Sequence, residues 1–416
     1  MALTVEQNER LCRVSPGTPC GNLMRRYWHP IAAVSQLPDA GTMAIRLLGQ
    51  EFVLYRDRSG GLGLLEPHCA HRRAGLVYGI PDACGLRCTY HGWLYDASGQ
   101  CIEQPYETFV DPGNRYRDRI RIEAHPVEGL GGLLWTYLGP EPRPLIPRWE
   151  GMVREDVKRE ISFAVLPCNW LQSLENSGDG SHSVYTHREF SKYVFEKLGR
   201  PDLQRHGNSN AGWFRPREAP VRNAYGWGAQ MFPYTGALRD QYQIRVPLDD
   251  THTLHIWYQF YTPEHERDLG IDIPPQEDPR SIPFFEVPLP RLDGHGRPMW
   301  ELMDSNSAQD IATWVTQGAL MDRSKEHLGY GDEQIVRMRQ LLEEQISIVE
   351  EGGDPLNTFR DPAENQCLAL PWAPFIPYLT PDGRPDRTQN ARKYSPIVTQ
   401  ASLRAYGART LDEPVH

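Results

Sequence analysis

The chain has 416 residues, 39% hydrophobic and 24% charged, the make-up of a folded protein too long for one simple core. Lys and Arg number 44 against 54 Asp and Glu, a formal charge of −10, which argues against nucleic acid as the main partner. No run of about 18 apolar residues occurs, so no membrane span is expected.

The N-terminus, MALTVEQNERLCRV, lacks the apolar core of a signal peptide, and the expected compartment is the cytoplasm. The eight cysteines are then expected as free thiols or metal ligands. Thr4 with Gln7 has capping-box spacing, and residues 1–35 read as helical with a break at Gly17. From Met43 the pattern turns to short β-type runs: MAIRLLG, EFVLYRD and LGLLE, then RIRIEAHP and GLLWTYLG. The proline-rich PEPRPLIPRWEG places a domain boundary at Pro140–Gly151, giving domains 1–150 and 151–416. The second half opens on a strand, REISFAVLP, and passes into a helical NWLQSLENSGDGSHSVYTH. Strand-like runs resume at AYGWGAQMF, YQIRVPL and TLHIWYQFY. Residues 265–300 form a Pro- and Asp-rich excursion of the kind that is often functional. Asp310–Gly318 and Asp332–Glu351 read as helices, the second with Ile335, Met338, Leu341, Leu342 and Ile346 on one face. The last 30 residues or so are given no structure.

Between the first β-type runs stand Cys69-Ala-His71 and Cys88-Thr-Tyr-His91, separated by 16 residues. Zinc sites usually pair like with like, C-x2–4-C and H-x3–5-H, whereas here each pair mixes a thiolate and an imidazole. That mixture suits a Rieske [2Fe–2S] centre, in which two cysteines hold one iron and two histidines the other. Pro67 stiffens the entry, and Gly92 lets backbone N–H groups approach the cluster sulfurs. Cys84 fits no ligand position and is expected as a small buried hydrophobe.

A second cluster of metal-type residues lies in ENSGDGSHSVYTH: Glu175, Asn176, Asp179, His182 and His187. On a helix that bends or ends near Gly180, His182 and His187 can turn toward one point. Two histidines plus a carboxylate, with other positions open, form the facial triad of non-haem Fe(II) oxygenases. Asp304, Asp310 and Asp322 are the candidate carboxylates, and Asp310, read as opening a helix, is chosen. Asp322 reads as a helix cap or salt-bridge partner. His252 and His255, three apart on a strand, point to opposite faces and are no metal pair. Gln243 and Arg245 share one face of their strand. Arg245 is a candidate substrate-binding residue, but an outward salt bridge to Asp249 or Asp250 is the favoured expectation.

The Cys–His stretch with YHGWLYDASGQC resembles the Rieske motif of non-haem iron ring-hydroxylating oxygenases. PGTPCGNLMRRYWHP and IRLLGQEFVLYRD are similar to the phthalate-dioxygenase-like branch of oxygenase (alpha) subunits. Asp179-x2-His182-x4-His187, preceded by Asn169-Trp170 and Glu175-Asn176, resembles the signature of its iron site. MDRSKEHLGYGDEQIVRMRQLL resembles the branch's C-terminal segment. Where many relatives carry a Glu several residues after the ligand Asp, this chain has Trp314 and Val315.

The resemblance implies an α+β fold: a β-rich Rieske domain with an N-terminal helical arm, then a larger catalytic domain of antiparallel sheet plus helices, of helix-grip type. It implies a [2Fe–2S] cluster on Cys69, His71, Cys88 and His91, and mononuclear Fe(II) on His182, His187 and Asp310. Asp179 is implied as a bridge between an iron-ligating histidine and a Rieske histidine of the next subunit, and Asn176 as a polar pocket residue. A homotrimer or stacked trimers follow. No GxGxxG stands in strand–turn–helix context, so a separate NAD(P)H-dependent reductase with flavin and [2Fe–2S] is implied, with Arg72 and Arg73 available for docking. The expected activity is O2-dependent hydroxylation of an aromatic, carboxylated substrate in the manner of phthalate oxygenation. The alternative is O-demethylation of a methoxylated, lignin-derived aryl or biaryl acid, whose enzymes VPLDDTHTLHIWY resembles. An electron-transfer protein with a degenerate second domain is the rival of another class.

Overall fold

The computed structural model describes residues 2–113, 115–182, 185–199, 229–238, 241–269, 272–369 and 394–397. Thr4 caps α1 (Val5–Cys12) through the expected box: Gln7 N donates to Thr4 Oγ1 and Thr4 N to Gln7 Oε1. Thr18 and Pro19 open α2 (Pro19–Met24). Helix then stops, against the expectation that it runs to residue 35. Trp28–Ala33 is a strand, β1, buried along its whole length. WHPIAA has no period of two because both its faces are covered, and Pro30 sits at a bulge in its pairing.

The strands that follow are β2 (Thr42–Leu47), β3 (Gln50–Arg56), β4 (Leu62–Leu65), β5 (Ile80–Asp82), β6 (Gly85–Arg87), β7 (Leu94–Tyr95) and β8 (Cys101–Glu103). After α3 (Pro105–Val110) come β9 (Ala124–His125), β10 (Val127–Leu130) and β11 (Leu133–Tyr137). They form three small sheets: β1-β11-β10, β2-β3-β4-β9 and β5-β6-β7-β8. A compact core of Val53, Tyr55, Leu65, Leu86, Trp93 and Tyr95 includes Cys69 and Cys88. Cys84 is exposed, not buried as expected. It lies in the two-residue turn between β5 and β6, where Asp82 pairs with Gly85 and the tip faces solvent.

The second half follows α4 (Glu150–Val153). One six-stranded sheet has the order β13 (Ala229–Met231), β14 (Thr235–Leu238), β15 (Gln241–Pro247), β16 (Thr253–Tyr261), β12 (Lys158–Leu166), β17 (Phe284–Glu286). It is antiparallel except for the β12–β17 pair. Period-two alternation gives it two unlike faces. Ile161, Tyr242, Ile244, Val246, Ile256, Tyr258 and Phe260 enter the main core, which also takes residues of α1, α2, β1, β3 and β11. The opposite face carries Gln241, Gln243, Arg245, His255, Trp257, Gln259, Glu160 and Ser162 in register. The 265–300 excursion supplies the edge strand β17.

Helices cover the polar face. They include α5 (Trp170–Gly178) and α8 (Asn306–Val315); this half also has α6 (Ser191–Lys197), α7 (Pro263–Leu269) and α9 (Glu333–Glu350), the last packed into the main core. Helix α8 begins a turn earlier than expected, because Ser305 caps it by accepting from Ala308 N. Asp310 therefore sits in mid-helix. Helix α9 matches its expected span, with Met338, Leu342 and Ile346 buried. Residues 224–228 of AYGWGAQMF, and most of the C-terminal thirty, lie outside the described residues.

Candidate metal centres

The four Cys–His residues lie on two loops. Cys69 and His71 follow β4; Cys88 and His91 stand between β6 and β7. Each loop closes on itself by backbone hydrogen bonds: Cys69 N to Ala74 O, and Cys88 N to Trp93 O. Gly92 takes φ +74°, a left-handed turn that lets its loop double back. Arg87 staples the second loop by donating to Gly92 O at 2.7 Å, to Asp82 and to Glu103. The two thiols are buried, 1% and 2% exposed. The His71 and His91 rings come together at 4.4 Å between centroids, nearer the surface, and His71 stacks on Trp93 at 4.6 Å. His91 Nδ1 is buried with no hydrogen-bond partner among the described residues, as a ring nitrogen aimed at a metal would be. Tyr95 Oη reaches Cys69 Sγ at 3.2 Å and accepts from Ala70 N. Paired sulfurs inside and paired imidazoles outside fit a cluster with one thiolate-bound and one imidazole-bound iron.

The second constellation also converges. Ligand atoms of His182, His187 and Asp310 all lie within 4.8 Å of one another. Helix α5 ends at Gly178, and Asp179 leaves it in extended geometry. His187 rides on a π-helical turn, Tyr185–Phe190, an insertion typical of functional sites. His187 Nε2 is 3.1 Å and His182 Nε2 3.7 Å from Asp310 Oδ1. Asp310 Oδ1 is buried, and neither approach is aligned as a hydrogen bond; the three groups point at a common centre. Burial would raise the Asp310 carboxyl, but the two imidazoles and Arg245 outweigh it and hold it below its ordinary value.

The histidines are held in the tautomer a metal needs. Gln309 Nε2 donates to Met303 O, so its Oε1 faces His187 Nδ1 at 3.2 Å as acceptor. His187 then carries its proton on Nδ1 and its lone pair on Nε2. His182 Nδ1 donates to the backbone carbonyl of Asp179, with the same result. The Asp179 carboxylate lies farther off, 4.0 Å from His182 Nδ1, and accepts from Ser181 N and Oγ. Asn176 Nδ2 stands 3.3 Å from His182 Nε2, at the edge of the site. Of the three candidate carboxylates, Asp310 alone joins the histidines among the described residues. Asp322 caps the turn Arg323–Lys325 and pairs with Lys325, as expected.

Arg245 departs from the favoured expectation. It is fully buried, and Asp249 and Asp250 are taken by Arg46 and Arg13 instead. The reason is topological: β15 is an interior strand, and its polar face is covered by helices rather than water. Gly236 on β14 makes the room, since a Cβ there would stand 2.8 Å from Arg245 Nη1. Both Nη atoms bond to Gln243, Nη1 to its carbonyl and Nη2 to its Oε1.

Residues 27–112 match the Rieske [2Fe-2S] domain. The chain is 38% identical, over 89% of its length and 86% of the relative's, to the 5,5'-dehydrodivanillate O-demethylase oxygenase subunit of a Sphingobium species. It is 30% identical, over 86% of its length and 89% of the relative's, to the phthalate 4,5-dioxygenase oxygenase subunit of Pseudomonas putida. The chain belongs to the Rieske non-haem iron oxygenases. Within them it is an oxygenase (alpha) subunit of the phthalate-dioxygenase-like branch. The fold agrees: the structure of a Pseudomonas putida CBB5 NdmA QL mutant with theobromine superposes at TM-score 0.58 and 18% identity, covering 80% of this chain and 94% of that one. This Rieske oxygenase is thus an α+β enzyme with a [2Fe–2S] domain followed by a sheet-and-helix catalytic domain. Among its described residues no helix is long and apolar enough to cross a membrane.

Two residues of the oxygenase site carried no signal that sequence reading used. Gln309 directly precedes Asp310, so its position was a clue to a second contact. In the sequence His255 stands out only by its spacing from His252. It is fully buried, stacks on Trp314 at 5.1 Å and leans on Trp257 at 4.2 Å, while His252 bonds Asp249 nearer the surface.

Proposed function

We propose that this oxygenase is an O-demethylase of a methoxylated aryl acid, with His182, His187 and Asp310 holding Fe(II). The observation that carries the reading is the greater identity to a demethylase subunit, 38%, than to a phthalate dioxygenase subunit, 30%, at like coverage. It reverses the order expected from the sequence. The net change is Ar–OCH3 + O2 + 2 e− + 2 H+ → Ar–OH + HCHO + H2O. When bound, the [2Fe–2S] cluster supplies single electrons and the Fe(II) supplies O2 activation at the methoxy carbon.

The chain's own residues orient and select. Gln309 and the Asp179 carbonyl keep the two imidazole lone pairs aimed inward. Arg245 is a buried cation whose nearest carboxylate, Asp310, is committed to the metal. Burial lowers its pKa to about 9, with Asp310 opposing. A substrate carboxylate would relieve that cost, and Arg245 is assigned this role. Asn176 lines the edge of the same site. The Asp179 carboxylate, half-exposed, is assigned the bridge to a neighbouring subunit's cluster within a homotrimer or stacked trimers. Tyr90, Tyr106 and Phe109 are exposed on the Rieske half, which supports burial against another copy. Electrons come from NAD(P)H through a partner reductase with flavin and [2Fe–2S], for which Arg72 and Arg73 offer exposed charge.

The test mixes iron-loaded protein, a surrogate reductase, NADH and a panel of methoxylated aryl acids, biaryl acids and phthalates. Formaldehyde with a product lighter by one methylene is the expected result. A product heavier by two oxygens and two hydrogens, without formaldehyde, would overturn demethylation in favour of ring dihydroxylation.

A further inference from the structure

The polar sheet face carries a row of side-chain hydrogen bonds that runs in one direction. Arg245, fully buried on β15, donates from Nη2 to Gln243 Oε1 at 2.8 Å and from Nη1 to Gln243 O at 3.0 Å. Gln243 Nε2 donates to Gln241 Oε1 at 3.3 Å, and Gln241 Nε2 to Gln259 Oε1 on β16 at 3.2 Å. Gln259 Nε2 ends the row on Phe260 O at 3.1 Å. The first member, a guanidinium, can only donate, and the last, a carbonyl, can only accept. Three amides strung between them have one consistent orientation: every Oε1 toward Arg245 and every NH2 away from it. Gln259 pairs with Gln241 across the strands while His255 pairs with Arg245. Gln259 thus lies four residues along the sheet from Arg245, about 13 Å, too far to touch a group bound there.

The row acts on Arg245 in two ways. Gln243 occupies the edge formed by the two Nη atoms and leaves Nε, which is buried with no partner among the described residues. Each amide also turns its negative end to the cation, and bonds in such a chain strengthen one another in a low-dielectric interior. The guanidinium is therefore held in one orientation, and kept charged without an ion pair, before any anion arrives. Binding to a group fixed in advance costs less than binding to one that must first be ordered. We infer that Gln241, Gln243 and Gln259 are positioning residues, which hold Arg245 ready as the receptor for the substrate's carboxylate. The inference rests on the role given to Arg245 in the proposed function above and deepens it.

The test compares an acid with its uncharged twin, 3-methoxybenzoate with 3-methoxybenzamide, by calorimetry on the iron-loaded protein. The wild type is expected to hold the acid about tenfold or more tighter, since hydrogen bonds to a charged group are the stronger ones. Gln241→Leu breaks the row in its middle, and Gln259→Met breaks it at the far end. Both are expected to lower the acid-to-amide ratio by about threefold or more and to leave the amide's affinity as it was. Gln243→Glu sets an anion on Arg245 and should abolish the preference. Unchanged cluster absorption and iron content check that each variant is folded. A ratio that survives in full in both Gln241→Leu and Gln259→Met, or acid and amide weakened together, overturns the inference alone, provided that Arg245→Met still removes the preference. If the wild type holds both compounds alike and Arg245→Met changes nothing, the carboxylate role of Arg245 in the proposed function falls, and the inference with it.

Discussion

At the scale of single residues, the site depends on which nitrogen of each histidine keeps its proton. Gln309 settles this for His187, and its own amide is anchored by Met303 O. Gln309→Leu removes the acceptor and is expected to weaken iron binding about tenfold to a hundredfold, as loss of such an orienting partner does. Gln309→Glu keeps the acceptor and should retain most of the affinity. Chelator competition measures both; equal affinity in the leucine variant would show that Gln309 does not orient the ring. The His–His–Asp set was legible because histidine spacing and the helix-borne Asp310 are visible in one dimension. Gln309 and His255 were not, since glutamine and strand histidines occur widely in solvated positions and only packing reveals that these two are buried. The outward salt bridge expected of Arg245 failed for the same reason. Alternation showed its face to be polar, but a polar face can meet water or a covered site, and sequence period does not say which.

At the scale of elements, α5 must stay in register with α8 for the ligands to meet. Three side chains on one side of α5 clamp it. Asn169 bonds the carbonyls of Cys12 and Asp250, and Gln172 bonds those of Trp314 and Gly318. Glu175, next to Asn176, receives Arg323 in a bidentate pair and Arg339 besides. Arg323 also reaches Asn8 and Cys12 of α1, so the N-terminal arm is tied to the same charge cluster. Arg323, Arg339 and Glu175 are all nearly fully buried. Glu175→Gln leaves two buried cations short of an anion and is expected to destabilise the protein by about 3 kcal/mol in chemical denaturation. Arg10→Ala, which breaks a half-exposed pair with Glu343 and Glu350, should cost less than about 1 kcal/mol. Equal losses would deny Glu175 a special place. The helix α9 was readable from its apolar stripe, whereas β1 was not, because a strand buried on both faces has no period to show.

At the scale of the whole molecule, one core joins the arm, the Rieske strands and the catalytic sheet, and histidines are buried on both sides of that sheet. His29 is fully buried against Tyr234, and its Nε2–H donates to Met24 O. Burial lowers its pKa to about 4 and drives that of His255 well below the ordinary value. A folded-state pKa depressed below the unfolded value of about 6.5 gives full stability above that pH and loses it as pH falls toward the folded value. Apparent melting temperature should therefore fall between pH 6.5 and 4, with His29 alone contributing on the order of 3 kcal/mol. His29→Gln should flatten part of that slope. A flat profile down to pH 4 would mean that these imidazoles gain protons without cost.

The claim that joins all three scales is that one chain carries both a Rieske cluster and a separate iron on His182, His187 and Asp310. Iron and acid-labile sulfide per chain, measured in the wild type and in Asp310→Ala, test it most directly. The account predicts iron beyond the cluster's own in the wild type, lost in the variant, with sulfide and cluster absorption unchanged. A variant that keeps all of its iron would contradict the assignment of the site.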